Sequence, residues 1–528
     1  MAAAYPIKAE SHESSHKWLI AIAVMVGTIL EVLDTSIVNV ALPHMQGSFS
    51  ASVDEITWVA TSYLVANGVM IPMTGWIASR FGRKRYFLVS VMFFVAASAL
   101  CGAAQTLDQM VLFRLVQGVA GAAMIPCSQA ILMETFPPEE QAMAMATWGV
   151  GLMVAPIMGP TLGGWITDNW SWRWNFYINI PTGLAAFLMV SAFVHDPAYM
   201  RRERRPGGRV DYLGIAYLAL GLGLLQIVLD RGERSDWFAS AWVVYASLTA
   251  AGCLLLLIVR ELRFPDPILD IRMFKLRDFS LSVFLILAMV LAVYANLLLN
   301  PVFLQEFMGY SASKAGLAMA PRAIGSLCSM FLIGQLARRR FDTRPLISVG
   351  FCLMAFGMWM MSKWNLGVSM WAVCWPTVPF GMGSGLIFPT LSAKSLSCVE
   401  RERMGYASSL FNMMRNTGSA LGISVVINLL TRHEQIHQAN LVQHFSVFEG
   451  WRLSQQAPRV PDAMSFNLMR EMVSGQKQGL AMVYRLVQAQ AAILSFNDIY
   501  RMLSLLVILL VPIAFFLRRA QATAAAAH

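Results

Sequence analysis

Apolar segments of about 20 residues recur along the whole chain and constrain its fold more than any other feature. Examples are residues 18–41, 213–229 and 242–259. Segments of this length can cross a hydrocarbon core about 30 Å thick as helices. They are about twice as long as the strands of membrane β-barrels, and a helix satisfies its own backbone hydrogen bonds. The sequence therefore predicts an all-α integral membrane protein with many spans in the lipid bilayer.

The composition agrees with this prediction and narrows the classes of partner. The chain has 528 residues, of which 57% are hydrophobic and 13% are charged, with a formal net charge of +10. Soluble domains carry about 25% charged residues. The basic residues lie in clusters between apolar segments and do not alternate with aromatic residues, so nucleic acid is not expected as a partner. The seven cysteines show no metal-ligand spacing, and we expect neither a disulfide framework nor a metal site.

The apolar segments and the breaks between them predict fourteen spans. The first span follows a polar tail and has no cleavage site, so we expect it to be retained. With the amino terminus inside the cell, the basic clusters fall on the cytoplasmic side and both termini lie there. The spans are 18–40, 56–77, 86–104, 109–131, 143–166, 177–194, 211–229, 239–259, 279–299, 315–337, 345–362, 371–392, 405–429 and 499–517. The clusters lie at 80–85, 201–209, 260–277, 338–344, 394–403 and 518–519.

One predicted outer connection, residues 430–498, is far longer than any other. Long loops are usually functional or serve docking. Apolar periodicity at 463–473 and 480–494 predicts amphipathic helical segments within it.

Two features recur at the same distance along the chain, which indicates an internal duplication. The turn GWIASRFGRKR at 75–85 is similar to GQLARRRFDTR at 334–344, and Gly159 and Gly163 map with the same offset onto Gly418 and Gly422. The arrangement that fits is six spans, two additional spans and six more.

The fifth predicted span reads GLMVAPIMGPTLGGW at 151–165. Gly151, Gly159 and Gly163 share one helix face, where small residues allow another helix to approach closely. Pro156 and Pro160 each remove a backbone donor and should bend the helix. The alternative is an ordinary packing face.

Several strings resemble motifs of the major facilitator superfamily. GVGLMVAPIMGPTLGG at 149–164 is similar to its antiporter motif, which includes Gly164. The 75–85 turn, with Gly75, Gly82 and Arg83, is similar to its motif between spans two and three, and LFRLVQGVAGAAMIP at 112–126 to its fourth-span motif. Four further strings resemble those of the fourteen-span drug/proton antiporters of the EmrB/QacA type. They are LDTSIVNVALP at 33–43, WRWNFYINIPTG at 172–183, LDRGERSDWF at 229–238 and LQEFMGYSASKAGLAMAP at 304–321.

The resemblance implies a major facilitator fold with two six-helix bundles and two inserted helices. It implies a multi-pass protein of the bacterial inner membrane that exports hydrophobic or amphipathic drugs in exchange for protons, driven by the proton gradient and without a cofactor. A periplasmic adaptor and an outer-membrane channel are the implied partners. The implied domains are a tail at 1–17, a bundle at 18–195, a linker with the inserted helices at 196–278, a bundle at 279–517 that contains the loop 430–498, and a tail at 518–528.

The resemblance has one departure. Ser79 stands where the family's turn motif has an acidic residue. The charge pair that gates this interface in the family is therefore not carried over.

Asp34 is the acidic residue that the first-span motif matches. An ionised aspartate in mid-membrane costs about 2.5–3.5 kcal/mol, so Asp34 must pair, face water or bind a proton. Glu31 lies three residues earlier on the same helical face, where it can share a proton or bind a cationic drug. Static structural roles are the alternatives for both carboxylates.

Four further polar positions complete the predicted site. Arg114 is the basic residue of the fourth span and is interpreted as the counter-charge of a carboxylate, with a structural ion pair as the alternative. Gln117, one turn later, and Asn296 and Asn300 in the ninth span are predicted cavity groups. Arg415, which aligns with Pro156 in the repeat, is expected to hold a helix interface together, and Arg322 is likewise too costly to face lipid.

His433, Glu434 and His437 fit the zinc-peptidase pattern H-E-x-x-H. A third histidine at the expected spacing is missing, because position 443 is Gln443. We therefore predict no enzyme and no metal at this pattern.

Three alternatives remain open at this stage. The chain can be an exporter of one endogenous metabolite such as a fatty acid, a siderophore or an antibiotic. The second alternative is a polytopic membrane enzyme, and the third is a non-transporting scaffold.

Overall fold

The described part of the chain is built from helices. The computed structural model describes residues 16–196, 210–265, 267–337, 342–443 and 477–518, and these residues contain no β-strand. The helices before the inserted pair are α1 (Lys17–Phe49), α2 (Val53–Ile56), α3 (Trp58–Met70), α4 (Thr74–Phe81), α5 (Arg83–Ala103), α6 (Leu107–Gly121), α7 (Met124–Thr135), α8 (Gln141–Asn169), α9 (Trp174–Tyr177) and α10 (Asn179–Phe193).

The remaining helices include two of unusual length, α17 and α18, each of which exceeds what a membrane span needs. They are α11 (Tyr212–Arg231), α12 (Ala241–Arg263), α13 (Arg277–Val302), α14 (Ala312–Ala337), α15 (Thr343–Met361), α16 (Met370–Ser397), α17 (Met404–Gln443), α18 (Lys477–Leu509) and α19 (Val511–Ala514).

Local sequence explains where two predicted spans are interrupted. The second span is divided by a 3₁₀ turn at Ile71–Met73, which contains Pro72, because proline cannot donate a backbone hydrogen bond inside a helix. The fourth span is divided between α6 and α7, and Pro126 lies in the first turn of α7. Proline is well tolerated there, since the first helical N–H groups have no helical partner.

Eleven helical segments of the described residues are long and apolar enough to cross a membrane. The prediction of an all-α membrane fold is confirmed. The helices α16 and α17 do not meet the same criterion, although they have 28 and 40 residues. Buried glycine and serine residues take the place of lipid-facing apolar ones along much of α16 and the first part of α17. The count of fourteen spans stays a prediction.

The described residues of the predicted outer loop 430–498 are helical. Residues 430–443 continue α17, and residues 477–498 continue into the last predicted span as part of α18. The predicted segment 480–494 is therefore helical, whereas 463–473 lies outside the described residues. Both helices thus extend well beyond the span ends assigned from hydrophobicity.

Helix contacts place the predicted site within the amino-terminal helices. The first helix, α1, packs against α8 and α10, and α3 packs against α6. In the later part of the chain α13 packs against α17, which is the equivalent pair in the repeat. The two groups meet where α8 contacts α14 and α16 and where α17 contacts α4 and α7. The predicted domain boundaries stay predictions.

Candidate proton and substrate site

A closed polar network surrounds Asp34 where α1, α6 and α10 come together. The Nη1 atom of Arg114 donates to Asp34 Oδ2 over 2.6 Å, while the other oxygen, Oδ1, accepts from Gln117 Nε2 at 3.0 Å and from Asn179 Nδ2 at 2.6 Å. The same Arg114 nitrogen donates to Gln117 Oε1 at 2.8 Å. Three residues from two other helices thus bind one carboxylate.

The network is sealed from solvent in this conformation. Asp34 is 0% exposed and Arg114 is 1% exposed. The guanidinium of Arg114 also donates through Nε to the carbonyl of Val59 at 3.2 Å, and it lies 4.2 Å from the centre of the Tyr63 ring. A charge pair at such a site is stable only if every hydrogen-bonding group is matched. A proton that binds Asp34 therefore weakens the charge pair with Arg114.

Asn179 belongs to this site, although its sequence context does not predict this role. Its side chain donates to Asp34 and to Ser98 Oγ, which is 2.9 Å away. Ser98 in turn donates to the carbonyl of Phe176. The only signal in the sequence was a polar residue at the start of an apolar segment, within the string at 172–183.

Glu31 lies outside this network, nearer to the second group of helices. Its Oε1 atom accepts from Asn67 Nδ2 at 3.0 Å, and its Oε2 atom has no hydrogen-bond partner among the described residues. Arg415 of α17 interacts electrostatically with Tyr294 of α13 and with Glu31. Glu31 and Arg415 thus influence each other electrostatically between α1 and α17.

Asn296 and Asn300 form a separate buried cluster in the later helices. Asn300 Nδ2 donates to Asn296 Oδ1 at 3.0 Å, and Arg322 Nη1 lies 3.4 Å from the same oxygen. The hydroxyl of Tyr500 donates to Asn300 Oδ1 at 2.6 Å. Both asparagines are almost fully buried, so in this conformation they hold helices together. Their predicted role as cavity groups stays a prediction.

The turn motif joins the two groups of helices at the end of the molecule that carries the basic turn 80–85. A Cβ atom on Gly75 would lie 2.7 Å from the carbonyl oxygen of Gly405, so only glycine allows this approach of α4 to α17. Gly82 separates α4 from α5 with φ 92°, a conformation that favours glycine. The buried Arg83 forms an ion pair with Glu134 of α7.

Ser79, the departure from the family motif, also lies at this junction. Its hydroxyl is 3.2 Å from the hydroxyl of Tyr406 in α17. A neutral contact across the junction therefore occupies the position where the family has an acidic residue.

The glycines of the predicted antiporter motif line the contact between α8 and α1. A Cβ atom on Gly159 would lie 2.5 Å from Ser36 Cβ, and one on Gly163 would lie 3.1 Å from Ile37 Cγ2. Gly151 faces Met25 of α1, whereas a Cβ atom on Gly164 would meet only Val40 of α1, at 3.9 Å. The side chains of Pro156 and Pro160 lie outside the described residues. The role of these glycines in conformational change stays a prediction.

A family model described as Major Facilitator Superfamily matches residues 24–423. The chain belongs to this superfamily, and it is a multi-pass membrane transporter, not an enzyme. It is 34% identical over 506 residues to the multidrug export protein EmrB of Escherichia coli K12, with 96% of each chain covered. It is also 34% identical over 500 residues to the fatty acid resistance protein FarB of Neisseria gonorrhoeae, with 94% of this chain and 95% of FarB covered.

A solved structure gives the same fold. The proton:xylose symporter XylE aligns with a TM-score of 0.61 at 13% identity, with 96% of this chain and 97% of the XylE chain covered. At this identity the likeness concerns the fold alone.

Proposed function

We propose that this protein exports hydrophobic or amphipathic drugs in exchange for protons, and that Asp34 carries the exchanged proton. The observation that carries the proposal is a buried carboxylate within a membrane helix, bound by one arginine and two amides. The identity of 34% to EmrB over nearly the whole chain supports drugs as the substrate class.

Protonation of Asp34 provides the switching step. Its ionised form is stabilised by Arg114, and a proton on the carboxylate removes the negative charge that holds the guanidinium in place. Arg114 then lacks its counter-charge in a site sealed from solvent, which is costly. The helices α1, α6 and α10 must rearrange to solvate it again. Proton binding thereby favours a different packing of these helices.

Glu31 is the better placed carboxylate for substrate. It has an oxygen without a hydrogen-bond partner and it faces Arg415 across the two groups of helices. A cationic drug that enters between α1 and α17 would compete with Arg415 for Glu31. Because Glu31 lies one helical turn from Asp34, drug binding and protonation oppose each other electrostatically.

The contacts at the basic end represent one side of an alternating-access cycle. Asn412 Nδ2 of α17 donates to Gln129 Oε1 of α7 at 2.6 Å, and Ser408 Oγ donates to the carbonyl of Pro126 at 2.8 Å. In the proposed orientation this end is cytoplasmic and the protein resides in the inner membrane. The contacts then close the cytoplasmic side, and export requires that they break once per cycle.

The proposed assembly places a periplasmic adaptor, followed by an outer-membrane channel, on the opposite face. The support is the length of residues 430–498 and the extension of α17 and α18 from that face. Both termini are then cytoplasmic, in agreement with the distribution of basic clusters.

Inside-out membrane vesicles test the function. With an acidic interior, wild-type vesicles should accumulate a fluorescent lipophilic cation, and Asp34→Asn vesicles should not, although the variant is inserted in equal amount. Asp54→Asn is the matched control, since Asp54 is an exposed carboxylate of α2 and should leave uptake unchanged. Uptake in the Asp34→Asn vesicles at the wild-type rate would contradict the proposal.

Fatty acid export is a second candidate, because the chain is as similar to FarB as it is to EmrB. The same vesicles can be offered lipophilic cations, lipophilic weak acids and long-chain fatty acids. Transport restricted to fatty acids would favour this candidate. Transport of several unrelated compounds would favour drug export.

A further inference from the structure

Two histidines and an aspartate come together at the outer ends of α17 and α18. The Nε2 atom of His437 lies 2.8 Å from Asp498 Oδ2, and the Nδ1 atom of His433 lies 3.5 Å from the same oxygen. One ligand atom from each of the three residues lies within 4.8 Å of the others. Neither the network at Asp34 nor the cluster at Asn296 includes any of these groups.

The spacing of these atoms fits a first-row divalent metal. Zinc binds imidazole nitrogen and carboxylate oxygen at about 2.0–2.2 Å, so neighbouring ligand atoms of a tetrahedral site lie about 3.3 Å apart. The observed separations of 2.8 and 3.5 Å lie on either side of that value. Two histidines four residues apart share one helix face, as two zinc ligands from one helix must. Imidazole and carboxylate together suit zinc better than magnesium or calcium.

The cluster lies where aqueous metal can reach it. His433 is 29 residues beyond Met404, the first residue of α17, which corresponds to about 44 Å along a helix. The hydrocarbon core is only about 30 Å thick. The side chains of His433, His437 and Asp498 are 27%, 23% and 32% exposed. The three residues are therefore partly open to water at the end of the molecule opposite the basic turn.

We propose that His433, His437 and Asp498 bind one zinc ion, which clamps α17 to α18 at the outer face of the transporter. Three protein ligands leave a fourth position for water or for a group of another molecule. The clamp would fix α17 and α18 to each other. Residues 444–476 connect these two helices in the sequence.

Metal binding to the purified full-length protein, prepared without a histidine tag and stripped with a chelator, tests the proposal. We expect the wild type to bind one Zn²⁺ per chain in competition with a chromophoric chelator. The His433→Ala/His437→Ala variant should lose this binding, and Asp498→Asn should weaken it. His44→Ala removes an exposed histidine outside the cluster and is the matched control, so its stoichiometry should be that of the wild type.

Cobalt distinguishes this site from the cysteines. Co²⁺ in place of Zn²⁺ should give the visible absorption of a four-coordinate nitrogen and oxygen site, without a thiolate charge-transfer band. Binding should weaken on acidification, because a protonated imidazole cannot bind metal. Equal zinc binding by the double variant and the wild type, the absence of binding by the wild type, or a thiolate band would each overturn the proposal. Since these readouts do not involve transport, they are independent of the proposed function.

Discussion

Asp34 and Asn179 are 145 positions apart in the sequence, yet their side chains are 2.6 Å apart in the folded chain. A hydrogen bond to a charged group is worth about 1.5–3 kcal/mol, more than a bond between neutral groups. Each of the three side chains that bind Asp34 therefore contributes to keeping its charge in the membrane. The network is best understood as one unit, not as an isolated ion pair.

At this scale we predict that Asn179→Ala lowers both stability and transport. The variant leaves a fully buried carboxylate with one donor fewer, and the expected cost is about 1.5–3 kcal/mol. The midpoint of thermal unfolding in detergent and the uptake by vesicles report the two effects. Asn169→Ala removes an exposed asparagine near the end of α8 and should change neither. A wild-type midpoint for Asn179→Ala would count against the network as described.

The sequence identified most of this site but not all of it. Asp34, Arg114 and Gln117 stand out because polar residues are rare and costly within apolar segments. Asn179 did not stand out, since an asparagine near the start of a span has an ordinary explanation in the membrane interface. The separation of Glu31 and Arg415 from the Asp34 network could not be predicted from the sequence either. It depends on which face of α1 is turned toward α17, and this follows only from the packing of all the helices.

Among the helices, α8 and α1 show how small residues set a close contact. The pattern of glycines predicted close packing, and the structure places Gly159 against Ser36 and Gly163 against Ile37. The equivalent glycines Gly418 and Gly422 of α17 face the backbone of α13. Both halves of the repeat therefore pack their first and fifth spans through glycine.

We predict that Gly159→Ala destabilises the protein and reduces transport. The new methyl group would lie 2.5 Å from Ser36 Cβ, and overpacking of this kind costs about 1–3 kcal/mol. Gly164→Ala provides the control on the same helix, because its methyl group would meet only Val40, at 3.9 Å. The midpoint of thermal unfolding should be lower for Gly159→Ala than for Gly164→Ala. Equal midpoints for both variants would show that the contact between α8 and α1 is looser than described.

Helix ends were harder to predict than helix positions. Hydrophobicity ended the thirteenth predicted span at residue 429, whereas α17 continues to Gln443 as a polar helix packed on α18. Gln438 donates to the hydroxyl of Tyr484 in this extension. Hydrophobicity predicts the part of a helix that lies in lipid. It does not predict how far the helix continues into water.

At the scale of the whole molecule, two groups of the described helices meet at the end bearing the basic turn, and α11 and α12 are additional to them. The internal repeat indicated this plan, but the contacts that join the groups, such as Asn412 with Gln129, could not be predicted from local patterns. They belong to one conformation of a transporter that must adopt at least two. In the proposed cycle, the charge on Asp34 determines which conformation is favoured.

Drug-induced proton release tests the coupling of substrate to Asp34 most directly. A transported drug is added to purified protein in a weakly buffered solution, and the change in pH is measured together with drug binding. We predict that the wild type and Asp54→Asn release protons on binding, whereas Asp34→Asn binds the drug without releasing them. Proton release by Asp34→Asn equal to that of the wild type would contradict the assignment of the exchanged proton to Asp34.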